Sequence, residues 1–159
     1  MADVTAALSK SGLLWIELPD RTWPVWHVWV EDTAYVVSGH GEQPLPHLPD
    51  EVTLIVRAKD TRARVARIPA QVHRVMPDSH EWQVATDALV PSRLNPEPGD
   101  QPERWGVEAT VWALRPDLDA ADTSVTPDEP SGAREPVPTP ATTDTWLPQH
   151  RPKRQRRTR

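Results

Sequence analysis

The sequence contains no cysteine, no phenylalanine and a single tyrosine, and it has no long hydrophobic run. Without cysteine, a disulfide framework, a thiolate metal site and a cysteine nucleophile are all excluded. No stretch approaches the roughly 18 consecutive apolar residues that a membrane-spanning helix needs. The first residues also lack the charged start and apolar core of a secretory signal. We therefore expect a cytoplasmic protein that has no membrane partner.

Tryptophan and proline, by contrast, are abundant, with 8 and 19 residues among 159. Seven of the prolines fall within residues 117–159, where the only aromatic side chain is Trp146. Such a segment buries too little apolar surface to offset the entropy that it would lose on ordering. The ends of domains are also commonly loose. The sequence therefore predicts a flexible N-terminus over residues 1–10, a folded domain over residues 11–116 and a disordered, Pro-rich tail over residues 117–159.

Charge divides the chain in a similar way. Residues 1–116 carry 11 Lys and Arg against 16 Asp and Glu, residues 117–150 carry 1 against 7, and residues 151–159 carry 6 against none. The formal net charge of -5 therefore combines an acidic body, an acidic tether and a basic end. A basic end can hold nucleic acid through its phosphates. Because the body is acidic and no aromatic residues alternate with these cations, we do not expect nucleic-acid binding through residues 151–159 to be the function.

Hydrophobic residues in the domain alternate with a period of two, which is typical of strands. Six segments are predicted as strands, over residues 13–18, 25–30, 34–38, 52–58, 64–76 and 108–114. The short connection between the second and third predicts an antiparallel hairpin. Pro69 cannot donate a ladder hydrogen bond, so the fifth strand is predicted to carry a bulge or to lie at an edge there.

One helix is predicted between the fifth and sixth strands. Asp78 can cap it, Glu81 occupies the third position, and Pro91 ends it. Three residues at helical spacing form its predicted buried face, namely Trp82, Ala85 and Leu89. A Pro-rich loop is predicted over residues 91–104. The expected fold is therefore mainly β, a six-stranded antiparallel barrel with one inserted helix and a disordered C-terminal tail.

This layout and the segments that fill it resemble a known architecture. The second and third strands read WPVWHVWV and EDTAYVVSG, the fourth and fifth read VTLIVRAKD and ARVARIPAQVHRV, and the last reads ATVWALRP. Over residues 11–116 the chain resembles the split-barrel family typified by pyridoxamine 5′-phosphate oxidases and their flavin- or deazaflavin-binding actinobacterial relatives. The resemblance implies a homodimer that holds flavin mononucleotide (FMN) or a deazaflavin at the subunit interface.

The resemblance also indicates where the cofactor phosphate would bind. In the family, the segment after the third strand carries a hydroxyl and a basic residue, and here Ser38 and Gly39 match its start. Glu42 stands where Lys or Arg is expected, and a carboxylate repels a phosphate, which is evidence against phosphate binding at the usual place. Arg57 and Lys59, at the end of the fourth strand, are alternative cations for an anionic ligand, or else charged residues that protect a sheet edge.

Trp29 and His27 are the remaining candidate residues for the cofactor. Indole stacks well on a flat ring such as isoalloxazine, but it also fills a core or a dimer interface. Trp26 and Trp29 should point to opposite faces of an alternating strand. His27, between valines and tryptophans, can either hydrogen-bond a ligand or serve as a satisfied structural residue.

No catalytic residue is assigned, and no metal site is expected, because the usual ligand spacings are absent. The predicted function is a flavin- or deazaflavin-binding split-barrel protein, either a cofactor carrier or an oxidoreductase in which the cofactor performs the redox chemistry. The alternative, which Glu42 favours, is a dimeric split barrel that holds no cofactor and serves as an interaction module. The predicted cofactor-binding residues are Ser38, Gly39, Arg57, Lys59, Trp29 and His27.

Overall fold

The computed structural model describes residues 4–59, 64–93 and 101–124. Within them, seven strands form one antiparallel sheet: β1 Leu13–Glu17, β2 Thr22–Trp26, β3 Val28–Val30, β4 Thr33–Gly39, β5 Glu51–Arg57, β6 Arg64–Arg74 and β7 Ala109–Pro116. Three α-helices accompany the sheet: α1 Val4–Lys10, α2 His80–Ser92 and α3 Gln101–Glu108. A single 3-10 turn, Leu118–Ala120, follows β7. The predicted mainly β, antiparallel fold is confirmed.

The two edges of the sheet are formed by strands that are consecutive in the chain. The strand order is β2-β1-β5-β6-β7-β4-β3, and only His27 separates β2 from β3. Because one residue spans the gap between the first and the last strand, the sheet has to curl until its edges approach each other. The result is an open, curled half-barrel, and we call the junction of its edges at His27 the seam.

The prediction of six strands is wrong, because the chain over residues 25–30 forms two strands. Trp26 pairs with Leu13 of β1, whereas Val28 pairs with Tyr35 of β4. A chain that pairs with opposite edges of an open sheet has to change direction between them, and it does so at His27. The predicted hairpin is confirmed as β3 paired with β4.

The predicted bulge or edge position at Pro69 is also wrong. Strand β6 lies inside the sheet between β5 and β7, and the register shift lies at Val56/Arg57. The carbonyl of Pro69 accepts from the Asp117 backbone N–H at 2.8 Å. Since the N–H and C=O of one strand residue point to the same side, the missing donor of Pro69 faces the segment after β7. A proline is tolerated there because the β7 ladder has already ended.

The helices differ from the prediction in three ways. Ser79, rather than Asp78, caps α2, because its Oγ accepts from the Trp82 N–H at 3.0 Å while Asp78 has a φ of 65°. The helix includes Pro91 in its last turn and ends at Ser92. Helix α3 begins within the predicted 91–104 loop, and α1 covers residues 4–10, which the sequence analysis expected to be flexible.

Apolar side chains pack on both faces of the sheet. The first core contains residues of α1 and of six strands, among them Leu8, Leu14, Leu54, Ile68 and Leu114. The second core lies between the sheet and α2 and α3, and it includes Val37, Trp82, Leu89, Trp105 and Val111. The predicted buried face of α2 is confirmed, since Trp82, Ala85 and Leu89 are all buried.

The chain continues along β6 after β7 ends. Arg67 and Asp122 exchange two backbone hydrogen bonds of 2.8 Å. The remainder of the predicted tail, residues 125–159, lies outside the described residues. Within the described part of the chain, no helix has both the length and the hydropathy to cross a membrane.

Candidate functional site

A cavity of about 810 Å³ lies beside the seam. Its walls are the end of α1 with the residues that follow it, the junction of β2 and β3, residues 41–43 after β4, and the end of α2. Pockets of this volume commonly hold small molecules or cofactors. The lining comes from four separate parts of the chain, so the cavity exists only once the sheet has curled and the helices have packed.

His27 lines the cavity and fixes α1 to the seam. Its side chain is buried, and its Nε2 lies 3.0 Å from the backbone carbonyl O of Leu8. A neutral imidazole that donates from Nε2 has no proton on Nδ1, and this Nδ1 is buried with no hydrogen-bond partner in the described residues. Burial lowers the pKa of His27, and the opposing effect of the bond to Leu8 is smaller. His27 is therefore neutral at pH 7, and its hydrogen bond to Leu8 is a structural one. This agrees with the interpretation of His27 as a satisfied structural residue, one of the two that the sequence left open.

Two tryptophans line the cavity on either side of His27. Trp26 packs against the second core and Trp29 against the first. The predicted divergence of the two indoles is thereby confirmed. Both side chains are only partly buried, so each keeps ring surface outside its core. The seam therefore places two indoles beside one pocket.

The side chain of Gln43 fills the gap where β2 leaves β4. In the register of β3 with β4, Trp26 would face Val37, but the two strands have already separated there. Gln43 Oε1 accepts from the Trp26 N–H at 2.9 Å, and Gln43 Nε2 donates to the carbonyls of Trp26 and Val37, each at 3.0 Å. One amide thus satisfies three backbone groups that a continuous ladder would have paired. It holds Trp26 in place at the cavity wall.

Glu42, the residue that was expected to repel a phosphate, is already neutralised. Its carboxylate is 1 % exposed and pairs with Arg93 at 3.1 Å and with Arg104 at 2.8 Å. The Trp105 indole N–H donates to the same carboxylate at 2.7 Å. We call these four residues the Glu42 cluster. These four residues carry a formal charge of +1, and Glu108, whose carboxylate lies 3.9 Å from Arg104, balances it. Glu42 is thus neutralised by its own partners, so the objection that it raised against a nearby anion no longer holds.

Ser38 and Gly39 serve the packing of β4 on β7. The Ser38 hydroxyl accepts from the Trp112 indole N–H at 3.0 Å. Gly39 has a φ of 138°, and a Cβ there would lie 2.8 Å from the Ala109 Cα and 2.9 Å from the Glu108 carbonyl O. Only glycine allows this approach. Neither residue is among those that line the cavity.

Arg57 and Lys59 also lie away from the cavity lining. The Arg57 guanidinium lies 4.9 Å from the ring centroid of Trp15, a cation–π contact. Lys59 is exposed in the turn after β5. Of the six residues predicted to bind a cofactor, the structure thus brings His27 and Trp29 together at one pocket.

Three residues of the cavity were missed by the sequence analysis. Gln43 and Arg93 carry no local pattern that distinguishes them from ordinary polar residues, since their partners are distant in sequence. Lys10 lies in a segment that was expected to be flexible. For Gln43, the only available signal was its position next to Glu42. Both residues lie in the segment after Ser38 and Gly39, which carried the family resemblance.

Other predicted sites have a simpler outcome. In the described residues, no group of three or more His, Asp or Glu side chains is arranged to hold a metal ion. The basic segment 151–159, considered for nucleic-acid binding, lies outside the described residues.

Comparisons with known proteins bear on the fold. No protein-family model and no curated protein matches the chain. Among solved structures, a candidate 5-nitroimidazole antibiotic resistance protein from Bacteroides thetaiotaomicron is similar over 74% of this chain and 81% of that chain, with 13% sequence identity and a TM-score of 0.51. A candidate pyridoxamine 5′-phosphate oxidase from Listeria innocua is similar over 72% of this chain and 90% of that chain, with 15% identity and a TM-score of 0.45.

The first of these two likenesses concerns three-quarters of the chain at a low identity, so what it shows is a shared fold. The resemblance that the sequence carried is therefore confirmed at the level of the fold: the chain has a split-barrel fold.

Proposed function

We propose that this protein binds a flavin-type cofactor, FMN or a deazaflavin, in the cavity beside the seam. The observation that supports this most is the pairing of a cavity of about 810 Å³ with two partly buried indoles, Trp26 and Trp29, in its wall. Flat heteroaromatic rings pack well against indole. A pocket of this size also exceeds what a single amino-acid-sized ligand requires.

The residues present fit the ring of such a cofactor. Trp29 offers a stacking surface, and His27 keeps the adjoining wall uncharged and rigid through its bond to α1. A flavin, when bound, supplies electron or hydride transfer, while the protein supplies position and electrostatics. Whether the chain then acts as an oxidoreductase or as a carrier depends on a second substrate.

Binding is tested by equilibrium dialysis of the purified chain with FMN and, separately, with a deazaflavin. We expect saturable binding at tens of micromolar or below. Trp29→Leu should weaken binding roughly 3- to 10-fold, as expected for loss of one aromatic contact. Trp23→Leu is the matched control, because Trp23 lies on β2 but does not line the cavity. Absence of saturable binding for both cofactors would rule the proposal out.

We also propose that the functional unit is a homodimer. A domain of about 100 residues has a modest core and gains stability by covering apolar surface. Leu13, which is 41% exposed, begins β1 and directly follows Gly12, a residue of the cavity wall. Light scattering should give about twice the chain mass of 17.9 kDa; a mass near that of one chain would contradict a dimer.

The second candidate function is a dimeric interaction module that holds no cofactor. It is favoured by the use of Ser38, Gly39 and Glu42 in contacts within the fold itself. This alternative predicts a dimer in light scattering together with no retention of either cofactor in dialysis. Because both functions predict a dimer, the dialysis measurement is the one that separates them.

A further inference from the structure

We infer that Lys10 and Arg93 form an anion subsite in the cavity wall, so that the ligand is one whose ring carries a phosphate or carboxylate group. This inference rests on the proposed function and names the class of ligand within it. The two cations come from the ends of α1 and α2. They are not part of the segment after β4, where the sequence comparison expected a basic residue.

The charges that line the cavity are unequal. Among the described residues in its wall, Lys10 and Arg93 are cationic, Glu42 is anionic, and His27 is neutral. The Glu42 carboxylate is 1 % exposed and is shared with Arg104 behind it. The positive charges in the cavity wall therefore outnumber the negative ones, and this favours the binding of a ligand with an anionic group.

Arg93 is held in a fixed position. Its Nε pairs with Glu42 at 3.1 Å, its Nη1 donates to Gln101 Oε1 at 3.2 Å, and its Nη2 donates to the Gly41 carbonyl at 2.8 Å. Besides this ion pair, the two hydrogen bonds use two of the five N–H donors of the guanidinium. The side chain is 12% exposed, so it borders the cavity without having to be ordered when a ligand binds. Such preorganisation lowers the entropic penalty of binding.

Lys10 supplies the second cation. It is the last residue of α1, it is exposed, and no carboxylate of the described residues pairs with it. The carbonyls at the end of α1 would by themselves repel an anion. The positive charge of the Lys10 ammonium offsets this repulsion, so a phosphate or carboxylate group can bind at this wall of the cavity.

The test compares FMN with riboflavin, which has the same ring and lacks the phosphate. Dissociation constants are measured by equilibrium dialysis at 20 mM and 200 mM salt for the wild-type chain and for Lys10→Met. We expect FMN to bind about tenfold more tightly than riboflavin at low salt. Lys10→Met should reduce this preference several-fold and leave the riboflavin constant unchanged.

A matched control is Arg74→Met, which removes a cation from the end of β6, outside the cavity lining. It should leave the preference for FMN unchanged. Inorganic phosphate distinguishes the source of the anion, and at millimolar concentration it should compete with FMN but not with riboflavin.

Equal affinities for FMN and riboflavin would overturn the anion subsite and leave the flavin proposal standing. Binding of neither ligand would overturn the flavin proposal, and this inference with it. A preference for FMN that Lys10→Met and Arg74→Met reduce equally would show a general effect of net charge and would also overturn the subsite.

Discussion

Two glutamates of this chain bind similar sets of partners, and they differ chiefly in burial. Glu42 accepts from two guanidinium groups and an indole, which belong to Arg93, Arg104 and Trp105. Glu81 contacts an imidazole, a guanidinium and a phenol, which belong to His73, Arg115 and Tyr35. The Glu42 side chain is 1 % exposed and that of Glu81 is 28% exposed. The comparison shows that similar sets of partners have different roles around a buried carboxylate and around a partly exposed one.

Burial decides how much each cluster matters. A buried carboxylate has lost its water, so it depends fully on its partners, and they depend on it. An exposed carboxylate can exchange a lost partner for water. The Glu42 cluster therefore holds the segment after β4, the end of α2 and α3 together, whereas the Glu81 contacts only reinforce the packing of α2 on the sheet.

Replacement of the buried carboxylate should have the largest effect. Glu42→Gln keeps the shape of the side chain but removes the buried carboxylate that Arg93 and Arg104 share, which should lower the free energy of unfolding by about 3–5 kcal/mol. Urea denaturation followed by Trp fluorescence measures this. A loss below about 1 kcal/mol would mean that burial does not separate the two clusters.

The amide that bridges the seam should come next. Gln43→Glu removes the N–H donors and points a carboxylate at the carbonyls of Trp26 and Val37. We expect a loss of about 1–3 kcal/mol in the free energy of unfolding. The control is Gln71→Glu, an exposed change that places like charges opposite Glu51 on β5 and should lower stability by less than about 1 kcal/mol. Equal losses in the two variants would contradict the role of Gln43.

The contribution of buried His27 to stability should depend on pH. Because burial lowers the pKa of folded His27 below its ordinary value of 6.5, the unfolded chain binds more protons when the pH falls below that value. The stability that neutral His27 supports is therefore present above about pH 6.5 and decreases as the pH falls toward the folded pKa.

His27→Gln should remove this part of the pH dependence. The glutamine amide can still donate to the Leu8 carbonyl, so the two proteins should have similar stability at pH 8. Urea denaturation from pH 8 to pH 5 checks this expectation. Equal losses of stability in both proteins over that range would show that His27 does not titrate on unfolding.

The smallest effect is expected at Glu81. Burial alone would raise the pKa of Glu81, but the hydrogen bond and charge of His73, with the charge of Arg115, outweigh it, so the pKa lies below its ordinary value. Glu81→Gln should lower the free energy of unfolding at pH 7 by less than about 1 kcal/mol.

Acid should remove even that difference. A depressed carboxyl pKa stabilises the fold above the unfolded value of 4.5, and this stabilisation is lost as the pH falls through the folded pKa. The unfolding curves of Glu81→Gln and the wild type should therefore converge below pH 4.5. A difference that grows in acid would contradict this account of Glu81.

Much of the fold could be predicted from local patterns. Alternation located five of the seven strands to within a few residues and predicted β2 and β3 as one strand, and helical spacing gave the buried face of α2. The division at His27 could not be predicted, because a strand pattern shows that a segment is extended but not which neighbour it pairs with. Helix α3 was missed because its buried Trp105 is stabilised by a hydrogen bond to Glu42, which is distant in sequence.

Only part of the candidate site could be predicted, because long-range contacts bring most of its residues together. Trp29 and His27 could be named because both lie in the 25–30 segment, which the sequence pattern predicted as a single strand. Ser38 and Gly39 were correctly placed at the end of the strand that forms β4, but their contacts with Trp112 and Ala109 make them parts of the packing. Gln43 and Arg93 depend on partners that only the closed fold supplies.

The residue types that the chain lacks, cysteine and phenylalanine, remain informative. Lack of cysteine excluded disulfide and thiolate chemistry, and a chain without phenylalanine had to build its aromatic surfaces from indoles. Periodicity determined a mainly β fold, because alternation follows directly from strand geometry. Only the tertiary structure decided that Glu42 is neutralised, that the sheet edges meet at His27 and that a cavity lies beside them. Each of these depends on long-range contacts, and local sequence cannot specify which distant residues will meet.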